Sequence, residues 1–179
     1  MNGKKWIKIW FLGIILIPIL GVFNYLVDPY QQYRMPKLYL VKYFNQRFQN
    51  PGFIKNYEYD SIALGASLME NFILSEVDQY LGYNKTLKVS LTGGTVKEQQ
   101  ISLNTVIDNK KIKNVFWCLD NVNFAGNMTE LFYGNNSLPL YLYDDKIFND
   151  FYYIFSLDVA KDSINALLNK PLYENTDLN

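Results

Sequence analysis

The chain of 179 residues contains no histidine, and this absence constrains its chemistry more than any residue that is present. Without an imidazole there is no Ser-His or Cys-His pair within the polypeptide, and no zinc site of the usual histidine-containing kind. A single cysteine, Cys118, excludes an intramolecular disulfide. It stands in the apolar run Val115-Phe116-Trp117-Cys118-Leu119 and reads as a buried core thiol. Net charge is lacking too. Lys+Arg and Asp+Glu are both 17, and no basic stripe is interleaved with aromatics, so nucleic acid is not an expected partner. No metal or other cofactor is expected. Aromatics are abundant, with 15 Tyr and 12 Phe, and they read as core packing before carbohydrate-stacking surface.

The first feature that is present is an N-terminal apolar run. Lys4, Lys5 and Lys8 precede Ile9 to Val27, 19 residues without a charge. At 1.5 Å per residue such a helix covers about 28 Å of a ~30 Å hydrocarbon layer, which predicts one transmembrane helix. Lysines before it and Asp28 after it place the N-terminus in the cytoplasm and the rest of the chain outside, in a single-pass membrane protein. A cleaved signal peptide is the competing reading. The run is longer than a signal core, however, and the flank Tyr25-Leu26-Val27-Asp28-Pro29-Tyr30 offers no small-x-small cleavage site.

Asp28-Pro29-Tyr30 ends that helix, and Leu38 to Phe48 has near-helical apolar spacing that predicts a short amphipathic helix. Asn50-Pro51-Gly52 reads as a turn. An alternating pattern follows. Ser61 to Leu64 is a short apolar strand, Ser75 to Leu81 a helix stopped by Gly82, and Leu87 to Leu91 a second strand. Val96 to about Asp108 is a helix, and Asn114 to Leu119 a third strand. Strand, helix, strand, helix, strand implies right-handed crossovers and a small parallel sheet covered on both faces, an α/β three-layer sandwich of flavodoxin-like kind. Beyond Phe124 loop residues dominate until helical character returns in Val159 to Leu168, and no fourth strand is visible. The predicted divisions are an anchor over 1–28, a juxtamembrane connector over 29–58, the α/β core over 59–125, and a loop and helical C-terminal segment over 126–179. Sequons at Asn84, Asn127 and Asn135 read as chance in an Asn-rich chain.

Three loops fall at the carboxyl ends of these strands: Gly65-Ala66-Ser67, Thr92-Gly93-Gly94-Thr95, and Asp120-Asn121-Val122-Asn123. Ligands bind at that end of open α/β sheets. Ser67 is therefore the candidate nucleophile, Gly93 and Gly94 are candidate amide donors to an oxyanion, and Asn121 or Asn123 adds a side-chain contact. Glycine after a parallel strand is also ordinary turn chemistry, so each loop alone carries little. Of the nearby carboxylates, Glu70 reads as solvated and Glu98 as a surface residue of its helix.

Residues 59 to 72, Tyr-Asp-Ser-Ile-Ala-Leu-Gly-Ala-Ser-Leu-Met-Glu-Asn-Phe, resemble the first block of the SGNH, or GDSL-like, hydrolase superfamily, with Ser67 at the nucleophile position. Val-Ser-Leu-Thr-Gly-Gly-Thr, residues 89 to 95, resembles the second block. Trp-Cys-Leu-Asp-Asn-Val-Asn-Phe, residues 117 to 124, falls where the third is expected, without its usual Gly. With the anchor, the likeness is to the membrane-anchored cell-envelope branch that includes D-alanyl-lipoteichoic acid transfer and alginate O-acetylation proteins. The resemblance implies acyl-ester transfer or hydrolysis on a surface polysaccharide, alongside an integral-membrane acyltransferase. The family's last block, an Asp and a His, has no counterpart, so the chain is expected to be inactive alone and to correspond to the front part of such a protein. A non-catalytic envelope protein binding glycan or an integral-membrane partner is the alternative.

Overall fold

The structure is a computed structural model that describes residues 3–39, 45–83, 85–121, 130–131 and 137–168. Six α-helices and three strands appear among them: α1 (Gly3–Val27), α2 (Gln46–Asn56), β1 (Ser61–Gly65), α3 (Leu74–Leu81), β2 (Thr86–Ser90), α4 (Val96–Asn109), β3 (Asn114–Cys118), α5 (Phe151–Ile154) and α6 (Leu157–Leu168). The strands form one parallel sheet in the order β2-β1-β3, with Gly65 level with Ser90 on one side and Cys118 on the other.

Side-chain period two sorts the sheet into two cores. Ile62 and Leu64 of β1 pack with Leu87 and Val89 of β2 against Phe53, Ile54 and Tyr57 of α2 and its end, and Val106 of α4. Ala63 points the other way, to Met69 and Leu74, with Phe116 and Cys118 alongside. Every residue of β1 is buried, as expected of a central parallel strand. β3 departs from the expected full cover. It is an edge strand among the described residues, and its Val115 and Trp117 are exposed, the Trp117 indole N–H donating to Gln99 Oε1 at 2.7 Å.

Local signals explain most boundaries. Gly82 ends α3 in the left-handed conformation, at φ 66°. Thr95 and Glu98 form a capping box that starts α4, the Thr95 hydroxyl accepting from the Glu98 N–H while the Glu98 carboxylate accepts from the Thr95 N–H.

α2 overturns two expectations. Of the helix predicted over Leu38 to Phe48, residues 37–39 are bends, 40–44 lie outside the described residues, and only Gln46 onward is helical. The predicted turn Asn50-Pro51-Gly52 lies inside that helix. Proline there cannot donate to the carbonyl four residues earlier, that of Arg47. The Tyr143 hydroxyl donates to this carbonyl instead, at 2.9 Å. Gly52 is needed for close approach, since a Cβ there would lie 2.3 Å from the Tyr30 carbonyl oxygen and 2.5 Å from that of Gln31.

The junction after α1 is a buried knot rather than a connector. Asp28 is 2% exposed and left-handed, at φ 52°. Its Oδ1 accepts from the Gln32 N–H and the Tyr153 hydroxyl, both at 2.9 Å, and its Oδ2 from the Tyr33 N–H at 2.8 Å and the Arg34 N–H at 3.3 Å. Burial pushes its pKa up, against the opposing pull of those N–H groups, the Tyr153 hydroxyl and the Arg34 charge. The C-terminal helices return to this end of α1. Asn24 donates its side-chain N–H groups to the carbonyls of Ile154 and Ser156 at 2.8 and 2.9 Å, and Tyr30, Leu142, Tyr153 and Val159 form a third core.

Among the described residues no helix is long and apolar enough to cross a membrane, so the predicted spanning helix is not found there. α1 itself is a helix of 25 residues, Gly3–Val27. What it does show is an apolar surface left open, with Phe11, Ile14, Ile17, Ile19, Val22 and Leu26 all more than half exposed.

Two substitutions test this frame. Gly52→Ala is expected to cost about 1–3 kcal/mol by overpacking against backbone, whereas Gly13→Ala, with nothing within 4 Å, does not destabilise; thermal or denaturant unfolding of the two variants checks the contrast. Asp28→Asn puts an amide where donors converge on the carboxylate and is expected to cost about 1–3 kcal/mol. Its pH dependence has a defined sign. A folded-state pKa raised above 3.8 means that the native protein holds the proton to higher pH than the unfolded chain. The Asp28 contribution is therefore most favourable below the unfolded value and declines as pH rises through the folded pKa. Stability measured from pH 3 upward should show this decline in the native protein relative to Asp28→Asn.

Candidate functional site

The carboxyl ends of the strands gather residues from four elements. β1 ends at Gly65, where a Cβ would meet Met69 Cβ at 3.0 Å and Cys118 Cβ at 3.1 Å, so the chain leaves the sheet between two neighbours that only glycine clears. Ala66 then leads into a 3₁₀ turn, Ser67–Asn71, whose Met69 plugs the lower core. Ser67 opens this turn and is exposed, and among the described residues no hydrogen bond engages its hydroxyl. In a 3₁₀ helix residues i and i+3 eclipse, which puts Glu70 on the same side as Ser67.

Glu70 is exposed, and its Oε1 accepts from Gln46 Nε2 at 2.6 Å and from the Thr92 hydroxyl. Gln46, the first residue of α2, ties the group together. Its Oε1 accepts from the Thr92 N–H at 2.6 Å and lies 2.9 Å from the Thr92 hydroxyl, whose single proton it shares with Glu70, and its Nε2 also reaches Ser90 Oγ at 3.2 Å. A polar shelf of Gln46, Glu70, Ser90 and Thr92, bonded to one another, thus ties the 3₁₀ turn that Ser67 opens to the end of β2 and the loop after it.

The second loop is shaped by its glycines. Gly93 is exposed and left-handed at φ 62°, and among the described residues its N–H makes no hydrogen bond. Gly94 is buried, its N–H donates to the Leu91 carbonyl at 2.7 Å, and a Cβ there would strike Leu91. Of the two predicted amide donors, Gly93 faces outward while the Gly94 amide closes the turn. Asn121 is exposed just beyond β3. Asn123 lies outside the described residues, as do the three sequon asparagines.

Beneath the shelf is a buried ion pair between Arg47 and Glu98. Glu98 is fully buried, not a surface residue. Arg47 of α2 donates Nε to Glu98 Oε1 at 3.1 Å and Nη2 to Oε2 at 2.9 Å, and its Nη1 reaches the Thr92 carbonyl at 3.0 Å. This bidentate pair fixes the second loop against α2. The signal available in sequence was Thr95-Val96-Lys97-Glu98, a capping-box pattern that assigns Glu98 inward to the helix start. Among the described residues no group of three His, Cys, Asp or Glu is placed to hold a metal ion.

The two carboxylates should separate cleanly on mutation. Arg47→Met leaves Glu98 buried without its partner and is expected to cost about 3–5 kcal/mol. Glu70→Gln, at an exposed position, is expected to stay within about 0.5 kcal/mol. Chemical denaturation of both variants measures the difference.

No protein-family model, no curated protein and no solved structure matches the chain, so the resemblance carried by residues 59 to 72 and 89 to 95 has no relative to support it.

Proposed function

We propose that the protein is a membrane-held α/β domain of SGNH hydrolase-like type at the bacterial cell envelope. In this reading it engages an acyl ester of a surface polysaccharide at the carboxyl ends of β1 and β2, without completing a serine triad of its own. The observation that carries it is the placement of Ser67. It follows the central strand of a parallel sheet ordered β2-β1-β3, is exposed, and opens the turn whose Glu70 is bonded to Gln46 and, through it, to the loop after β2 that carries Gly93. Order 2-1-3 is the start of the flavodoxin-like arrangement, in which ligands bind where strand order reverses.

The chemistry stops short of turnover. A serine hydroxyl attacks a carbonyl only when a base removes its proton, and a site lacking a triad member retains only the residual effect of binding and oxyanion contacts. The chain has no histidine, and the Glu98 carboxylate is held by Arg47. Gly93 N–H and the Ser67 hydroxyl remain as hydrogen-bond donors to an ester. An integral-membrane acyltransferase is the partner that this arrangement fits. α1 supports the membrane setting: its uncharged run, Ile9 to Val27, follows three lysines, and its Phe11, Ile14, Ile17, Ile19, Val22 and Leu26 are apolar and open, while among the described residues only Gly21, Asn24 and Val27 near its end are buried. The N-terminus is then cytoplasmic and the α/β domain outside. The same missing base equally favours a non-catalytic protein that only binds the glycan or a membrane partner.

The full chain in lipid nanodiscs, treated with a fluorophosphonate probe and a short-chain aryl ester, is expected to show neither labelling nor hydrolysis above buffer. It should retain an O-acetylated polysaccharide at least tenfold better than the deacetylated polymer, and Thr92→Ala should weaken that retention. Labelling or turnover abolished by Ser67→Ala would overturn the non-catalytic reading. Equal retention of the two polymers would remove the ester.

A further inference from the structure

The C-terminal helices carry an aromatic surface that the core does not use. Phe148 is 83% exposed, Phe151 54%, Tyr152 71% and Leu157 77%, while Phe155 is partly covered and stacks on Phe151 with ring centroids 5.7 Å apart. These residues surround α5 and its turn into α6. Isolated apolar residues on a surface are ordinary, but a contiguous aromatic group on a short helix marks a contact.

Its position along α1 identifies what it contacts. A Cβ on Gly21 would lie 2.6 Å from the Phe155 ring and 3.1 Å from Ile154, so these side chains lie directly on the α1 backbone at that level. Asn24 is bonded to the carbonyls of Ile154 and Ser156. Gly21 and Asn24 stand six and three residues before the end of α1 at Val27. At 1.5 Å per residue these levels are about 9 Å and 4.5 Å from that end. Apolar faces that lie in a bilayer surface sink about 5–10 Å below the headgroups. The connector presents a matching second patch. The Arg34 guanidinium lies 4.3 Å over the Tyr25 ring, with Lys37 nearby in sequence and Met35 and Leu38 exposed, which is the mixture of aromatic, basic and apolar groups that suits a headgroup layer.

We propose that the α5–α6 corner is an interfacial collar, which inserts Phe148, Phe151, Tyr152 and Leu157 at the headgroup–acyl boundary of the bilayer that holds α1. This rests on the reading of α1 as the membrane element. The collar turns a single-helix tether into a two-point attachment, fixing the tilt of the α/β domain and the height of its strand-end loops above the lipid.

The test is nitroxide depth measurement on the full chain in nanodiscs of phosphatidylcholine and phosphatidylglycerol. Single cysteines are introduced in a Cys118→Ser background at Tyr152, at Ile15 on α1, and at Tyr80 on α3, which is 86% exposed. Relative accessibility to oxygen and to a water-soluble nickel chelate is read at each. The expected result is Tyr152→Cys about 5–10 Å below the phosphates, Ile15→Cys in the hydrocarbon core and Tyr80→Cys in water. Should Ile15→Cys be in the core while Tyr152→Cys matches Tyr80→Cys, the collar is overturned and the anchor stands. Conversely, an interfacial Tyr152→Cys with Ile15→Cys in water supports interfacial insertion and removes the spanning α1. Water at both positions overturns both.

Discussion

The carboxylate of Asp28 is the interaction on which the rest of the molecule depends. It ends α1 in a left-handed conformation, which costs an ordinary residue about 1 kcal/mol or more. It offsets that cost by accepting the N–H groups of Gln32, Tyr33 and Arg34 and the Tyr153 hydroxyl. One side chain thereby fixes the exit of α1, the path of the connector and the docking of α5. Burial opposes the negative charge, and the four donors oppose burial. Converging donors of this kind require acceptors on both oxygens, which an amide side chain of the same shape does not supply.

This knot packs directly on α2. Gly52 lies against the Tyr30 and Gln31 carbonyls, Asn56 donates to the carbonyls of Gln31 and Gln32, and Gln32 Nε2 donates to the Phe48 carbonyl at 2.6 Å. The other side of the helix feeds the sheet core through Phe53 and Ile54. Its first two residues hold the strand-end loops, Gln46 through Thr92 and Arg47 through Glu98. One helix of 11 residues is thus shared by the Asp28 knot, the core and the site.

The sequence revealed those features whose cause is local. β1, β2 and β3 were visible as short apolar runs, and α3, α4 and α6 as helical spacing with a turn or cap beside it, and the parallel orientation of the strands followed from their alternation. Ser67 at a strand end belongs to the same class. α2 was hidden because its Pro51 and Gly52 are turn residues by local rule, and the contacts that reconcile them with a helix come from Tyr143 and from the Tyr30 and Gln31 backbone. Glu98 was misplaced because its partner lies 51 positions away. The return of the C-terminal helices to α1 spans 130 positions between Asn24 and Ile154. The polar shelf was unreadable for the same reason, since Gln46 joins it only through α2. The Gly94 amide looked available because the Leu91 carbonyl that takes it is visible only once the turn is folded.

These connections also limit how the site meets a ligand. The knot and the shelf lie on one continuous helix, about 16 Å long by its rise, with no hinge between them, because Pro51 is relieved by Tyr143 and Gly52 is packed on backbone. An attachment that fixes the end of α1 therefore fixes the Ser67 turn. Because α2 also carries Phe53 and Ile54 into the sheet core, the Ser67 turn and the Asp28 knot hold one orientation set by a single helix.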